Sequence, residues 1–144
     1  MFCSVFKIAD QTFFGLHKWF PGLRTCYGIH GNNGEPGCVR YCAGSSLPSI
    51  DGATVSWSKE KLIEIDRVER RLTYEIVDCN TGFKSYVASM KIIPAADSGG
   101  GWQMEWRFEV DPIVGWRLED LVPKYEIGLQ LMVKKMEASI SDSS

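Results

Sequence analysis

Trp102-Gln-Met-Glu-Trp-Arg-Phe-Glu-Val-Asp111 is the stretch on which the reading of this chain turns. Trp102, Met104, Trp106, Phe108 and Val110 alternate with Gln103, Glu105, Arg107, Glu109 and Asp111. A period of two, held this long, marks a β-strand with one dry face and one wet face. The dry side carries large aromatic and thioether groups, which suit the wall of an apolar cavity as well as a solid core. Such a one-faced strand needs a cover.

The C-terminal segment supplies it. Leu118, Leu121, Val122, Tyr125, Leu129, Met132, Val133 and Met136 recur at spacings of three and four, with Lys124, Glu126, Gln130, Lys134, Lys135 and Glu137 between them. That is the period of an amphipathic helix. Glu119 and Asp120 near its start and Lys134 and Lys135 near its end suit the helix dipole. Pro123 fits if the regular helix begins close to it, and a start at Trp116 predicts a bend.

Upstream, short β segments alternate with turn residues. Strands are predicted at Leu23–Ile29, Cys38–Ser45, Thr54–Ile65, Leu72–Asp78 and Lys84–Ile93. Gly31–Gly37, Leu47–Gly52, Asn80–Gly82 and Asp97–Gly101 are the turns and loops between them. Consecutive strands with local turns predict an antiparallel meander closed by the helix, an α+β arrangement. Residues 1–22 are rich in Phe and Trp, and read as one or two short helices ending before Pro21.

With 144 residues the chain has the length of one domain. Its net charge of −2 contains no basic run, so nothing points to a nucleic-acid partner. No apolar run reaches the length of a membrane span. The opening Met1–Asp10 is interrupted by Lys7 and lacks a basic leader, which argues against a secretory signal. Five cysteines (Cys3, Cys26, Cys38, Cys42, Cys79) at irregular spacing read as reduced thiols of a cytoplasmic protein. His17 and His30 have no metal-ligand spacing, so no metal is expected.

A curved antiparallel sheet gripping a long C-terminal helix resembles the START-like helix-grip architecture. The motifs His17–Pro21, Cys26-Tyr-Gly28, Gly34–Tyr41, Trp57–Leu62 and Glu105–Val110 resemble one plant branch of it, the lachrymatory-factor synthase-like proteins. These are grouped with the polyketide cyclase/dehydrase and lipid-transport superfamily, together with pathogenesis-related allergens and abscisic-acid receptors. The resemblance covers the chain from about Phe13 onward, and implies a single helix-grip domain over residues 1–144 with an internal site for a small hydrophobic molecule.

The resemblance also implies a key pair. The family's cavity arginine lies in a Cys-Val-Arg-Tyr motif, here Arg40, and its glutamate in a Trp-x-Lys-Glu-Lys-Leu motif, here Glu60. Two cavity tyrosines match Tyr74 and Tyr86 by their distance from Thr81-Gly82. The family enzyme rearranges a small sulfenic acid to a thial S-oxide without a cofactor. The residues themselves agree in part. Arg40 alternates onto the face of Cys38 and Cys42, where a guanidinium needs an anion. Glu60 shares its face with Ser58 and Leu62. Proton shuttling by this pair, anchoring of a ligand's polar end, and a purely structural bridge all remain open. Met90, Trp106, Phe108 and Met132 are expected beside Tyr74 and Tyr86 around the ligand. His17 reads as a satisfied helix-end residue.

Ser45–Ser49 resembles the gate loop of abscisic-acid receptors, but the turn Cys79–Lys84 lacks their latch histidine, which disfavours hormone sensing. Members of the family begin with a further strand, and Met1–Ala9 does not resemble it. A chain truncated in this way would leave the edge of Trp102–Asp111 unpaired, open the cavity to water and offer an edge for a homodimer. The readings carried forward are therefore a carrier for a small hydrophobic metabolite, a cofactor-free isomerase or cyclase, and a truncated form without independent function.

Overall fold

Each strand folds back on the one before it. In the computed structural model, residues 12–20, 22–44, 52–94, 101–113 and 117–142 are described, with side chains as far as residue 139. A 3₁₀ helix, Phe13–Lys18, is followed by β1 (Leu23–His30), β2 (Val39–Gly44), β3 (Ser56–Asp66), β4 (Arg71–Cys79), β5 (Val87–Pro94) and β6 (Trp102–Glu109). Helix α1 (Leu118–Asp142) completes the described chain. The strands form one curved antiparallel sheet in the order β1-β2-β3-β4-β5-β6, the predicted meander. Positive φ at Gly31, Gly34, Gly37 and Gly82 gives two of the predicted turns their shape. Ser45–Ser49, most of the Asp97–Gly101 loop, Trp116, Pro21 and the first eleven residues lie outside the described residues.

Alternation then sorts side chains between two faces. Cys26, Arg40, Cys42, Glu60, Leu62, Leu72, Tyr74, Ala88, Met90 and Ile92 are buried on the inner face. On the outer face Tyr27 packs on Tyr41 at 5.2 Å, and Tyr41 stacks on Trp57 at 6.1 Å. A bulge interrupts this regularity beside Glu60. Lys59 pairs with Asp78 but Glu60 pairs with Ile76, so Val77 is the extra residue and lies half exposed. Bulges re-aim the side chains next to them. Here the bulge keeps both Ile76 and Cys79 directed inward on one strand.

Strand β5 starts at Val87 rather than Lys84, because Ser85 takes a positive φ of 56° that extended backbone does not allow. Tyr86 nevertheless accepts a ladder-like bond from Ile76 N–H at 3.0 Å and stays buried. Among the described residues β6 pairs only with β5, and β1 only with β2.

Helix α1 buries Leu121, Met132 and Met136, with Tyr125 and Leu129 packed against the core. Two residues of the expected stripe fall outside it. Leu118 and Val122 are exposed, although Leu121 between them is buried. The helix runs on to Asp142, so Lys134 and Lys135 do not occupy its last turn, as the dipole argument supposed. Pro123 lies inside the helix, and its ring nitrogen cannot donate to the Glu119 carbonyl. No helix among the described residues is long and apolar enough to cross a membrane.

Gly44 sets the tightest approach in the sheet, where an added Cβ would collide with the backbone carbonyl of Gly22. Backbone cannot swing aside as a side chain can. Gly44→Ala is therefore expected to lower stability by about 2 kcal/mol in urea unfolding. Val68→Ala, at an exposed turn, should stay within about 0.5 kcal/mol of the parent.

Candidate functional site

Antiparallel register places Arg40 of β2 directly opposite Glu60 of β3. Both point inward, at 3% and 9% exposure. Arg40 Nε and Nη2 both donate to Glu60 Oε1, at 2.9 and 2.7 Å. Arg40 Nη1 donates to the Phe13 carbonyl at 2.9 Å, and the guanidinium lies 3.9 Å from the Phe13 ring centre and 5.0 Å from that of Tyr74. Ser58 Oγ donates to Glu60 Oε2 at 2.8 Å, and the Cys42 thiol lies 3.9 Å from Oε1.

Burial of a charge this deep is costly unless it is paired and its donors are used. Burial is the largest influence on Arg40 and pushes its pKa down; the Glu60 carboxylate, helped by Cys42, Tyr74 and Cys26, more than offsets it, so the guanidinium holds its proton more firmly than usual. The two aromatic faces add cation–π attraction. Three of the five guanidinium N–H groups are engaged by these bonds. One side of Glu60 Oε2 remains as an acceptor beyond Ser58.

The pair opens onto a cavity of roughly 100 Å³. Its lining is mostly apolar, with Phe13, Phe20, Leu72, Ile76, Phe83 and Met136 among the walls. Pockets that hold small ligands typically enclose on the order of a few hundred Å³. Phe13 and Phe20 from the N-terminal segment and Tyr125 from α1 project into that space and reduce it. An occupant of this room is small.

Of the predicted site residues, Arg40, Glu60, Tyr74, Tyr86, Met90, Trp106 and Met132 all line this cavity. Phe108 does not. It stacks on Tyr86 at 5.8 Å and meets Tyr125 edge-on at 5.0 Å, buttressing the wall from behind. His17 also departs from expectation, since its Nδ1 is buried with no hydrogen-bond partner among the described residues. Burial raises the phenol pKa of Tyr74, Tyr86 and Tyr125, so all three stay neutral donors at physiological pH.

Phe13, Ser58, Cys42, Thr81 and Tyr125 also line the cavity and were not singled out for the site. Ser58 and Cys42 share strand faces with Glu60 and Arg40, a signal that alternation carries. Tyr125 lies on the helical stripe. Nothing in the sequence marks Phe13 as the platform for Arg40. Thr81 Oγ1 and Trp106 Nε1 are buried without a hydrogen-bond partner among the described residues, which is uncommon for polar atoms so placed.

Comparison with known proteins follows the same lines. Residues 4–137 match the family described as polyketide cyclase / dehydrase and lipid transport. Major latex-like protein 151 of Panax ginseng superposes with a TM-score of 0.70 at 20% identity, over 96% of this chain and 88% of that one. An uncharacterized protein of Bacillus thuringiensis superposes with a TM-score of 0.66 at 21% identity, over 91% and 87%. At such identities the likeness is one of fold, the helix-grip arrangement of sheet and C-terminal helix.

Removing one partner of the buried pair strands the other. Arg40→Met is expected to destabilise the protein by about 3–5 kcal/mol in urea unfolding, and the double substitution Arg40→Met/Glu60→Leu to recover most of that loss. A double variant as unstable as the sum of the two single ones would show that the side chains do not act as a pair.

Proposed function

This chain belongs to the polyketide cyclase/dehydrase and lipid transport family, and we propose that it binds a small hydrophobic metabolite in the cavity beside Arg40 and Glu60. The observation that carries this reading is a buried ion pair at the wall of an otherwise apolar space. Apolar walls supply affinity through desolvation, and a few fixed polar groups supply orientation. Arg40 has spare N–H groups for an oxygen on the ligand. Thr81 Oγ1 and Trp106 Nε1 offer further unfilled hydrogen-bonding capacity. The small volume favours a short molecule with one polar head. The Cys-Val-Arg-Tyr and Trp-x-Lys-Glu-Lys-Leu motifs support placing the chain with the lachrymatory-factor synthase-like branch of plants. The four free cysteines among the described residues support a cytoplasmic setting.

One observation favours a second reading, that of a cofactor-free isomerase or cyclase. Glu60 Oε2 keeps an acceptor site at the cavity, and the neutral hydroxyls of Tyr74 and Tyr86 can donate to an oxygen on which negative charge grows. In this reading Glu60 takes and returns a proton while Arg40 steadies the charge. Arg40 and Ser58 already engage both Glu60 oxygens, so the carrier reading is preferred.

Native mass spectrometry of protein purified from its source should show a retained small molecule, displaced by short apolar alcohols or acids. Glu60→Gln keeps the shape and removes the charge. It should weaken calorimetric binding roughly tenfold or more, the size of one hydrogen bond to a charged group. Absence of saturable binding in the parent would sink the carrier reading. Rearrangement of a short sulfenic acid, reduced about a hundredfold by the same substitution, would select the enzyme instead.

A further inference from the structure

Strands β1 and β2 place Cys26 directly opposite Cys42, in a regular part of the ladder, with both side chains on the buried inner face. Their sulfurs lie 3.3 Å apart and share a hydrogen bond in which either can donate. Both are free thiols. Cys26 Sγ also faces the Phe13 carbonyl at 3.9 Å, while Cys42 Sγ faces Glu60 Oε1 at the same distance. Cys42 lines the cavity, which gives it a route to small molecules that burial would otherwise deny.

We infer that Cys26 and Cys42 form a peroxide-responsive dithiol, closed to a cross-strand disulfide by a small hydroperoxide that reaches Cys42 through the cavity. Ligand binding needs neither sulfur, so the inference goes beyond the carrier reading. The geometry is close to what the bond requires. Directly opposed residues of an antiparallel pair have Cβ atoms about 4.5–5.5 Å apart, against roughly 3.5–4.5 Å in a disulfide. Each sulfur has to move inward by about 0.6 Å to reach the bonded separation of about 2.05 Å. The electrostatics also suit it. The Cys42 hydrogen bond and, against the opposing effect of burial, the Arg40 charge lower the pKa at Cys26, so the pair sheds one proton more readily than an isolated thiol.

The charge rests on Cys26, because the hydrogen bond to Cys26, burial and the nearby Glu60 carboxylate all push the Cys42 thiol up. The Cys26 thiolate takes the Cys42 proton as the Cys42 sulfur attacks one peroxide oxygen, the O–O bond breaks, and the departing hydroxide is neutralised by the proton the pair first shed. Cys42 is then a sulfenic acid. The sulfur of Cys26 displaces its hydroxyl, the S–S bond forms, and the hydroxyl leaves as water with the Cys26 proton. In sum, two thiols and one hydrogen peroxide give one disulfide and two waters, the two electrons passing from sulfur to oxygen. Attack by a thiol reductant reverses the bond.

The test uses the full folded chain, hydrogen peroxide as the probe and dithiothreitol as the reductant. Non-reducing peptide mapping should find Cys26 linked to Cys42 within one chain. Titratable thiols should fall from five by two and return on reduction. The rate should rise with pH below the range near 8.5 in which an ordinary cysteine ionises. Cys26→Ser should halt the sequence at a Cys42 sulfenic acid, trapped by dimedone. Peroxide treatment of the unfolded parent in urea, which needs no variant, should scatter the linkages among all five cysteines. The inference is overturned if the folded parent keeps five titratable thiols under peroxide. It is equally overturned if the bonds formed join different chains, or join Cys26 or Cys42 to another cysteine.

Discussion

A positive charge with almost no access to water is the constraint around which this protein is arranged. Arg40 is the second residue of β2, and its polar and aromatic neighbours answer its charge. The Glu60 carboxylate comes from the next strand, a backbone carbonyl from the 3₁₀ helix, and ring faces from Phe13 and Tyr74. Because the carbonyl and the ring both belong to Phe13, the same side chain that balances the sheet's charge also fastens the N-terminal segment over it. Elsewhere the sheet is held by ladder bonds, aliphatic contact and aromatic stacks, none of which carries a buried charge.

The same arrangement decides how much space is left inside. A helix-grip sheet could enclose a larger hollow, but Phe13 and Phe20 enter from one side and Tyr125 from the other. Tyr125 is wedged against Trp106 at 4.6 Å and Phe108 at 5.0 Å, so α1 is seated on β6 by rings rather than by close backbone approach. Those long side chains act as struts, holding helix and sheet apart by their own length. The cavity is what remains between the struts.

Much of this could be read from residue patterns, and the exceptions have physical causes. Period-two alternation and the turn residues between strands together located all six strands; alternation also placed Arg40 and Glu60 inward, though it could not say that they meet. Their meeting depends on the register between β2 and β3, which alternation within either strand does not encode. The helical stripe of α1 was legible, but Leu118 and Val122, which share its spacing, lie exposed beside a buried Leu121. Phe108 has the right alternation to line the cavity, yet neighbouring rings claim its face. The contribution of Phe13 was invisible, since it depends on where a short irregular segment lies in space. The bulge at Val77 was hidden too: one extra residue in a strand leaves no mark on composition.

The strand order carries a kinetic corollary. Every pairing in the sheet joins strands that are consecutive in the chain, so each hairpin can close over a short loop without waiting for a distant partner. Topologies of this kind have low contact order for a β-rich protein and assemble faster than those requiring remote strands to find one another. The longest searches are those that bring Phe20, near the N-terminus, to Trp106 of β6 and Gly128 of α1. The interior is therefore sealed late, after the hairpins have zipped, and the nascent sheet passes through a stage in which its inner face is bare to solvent.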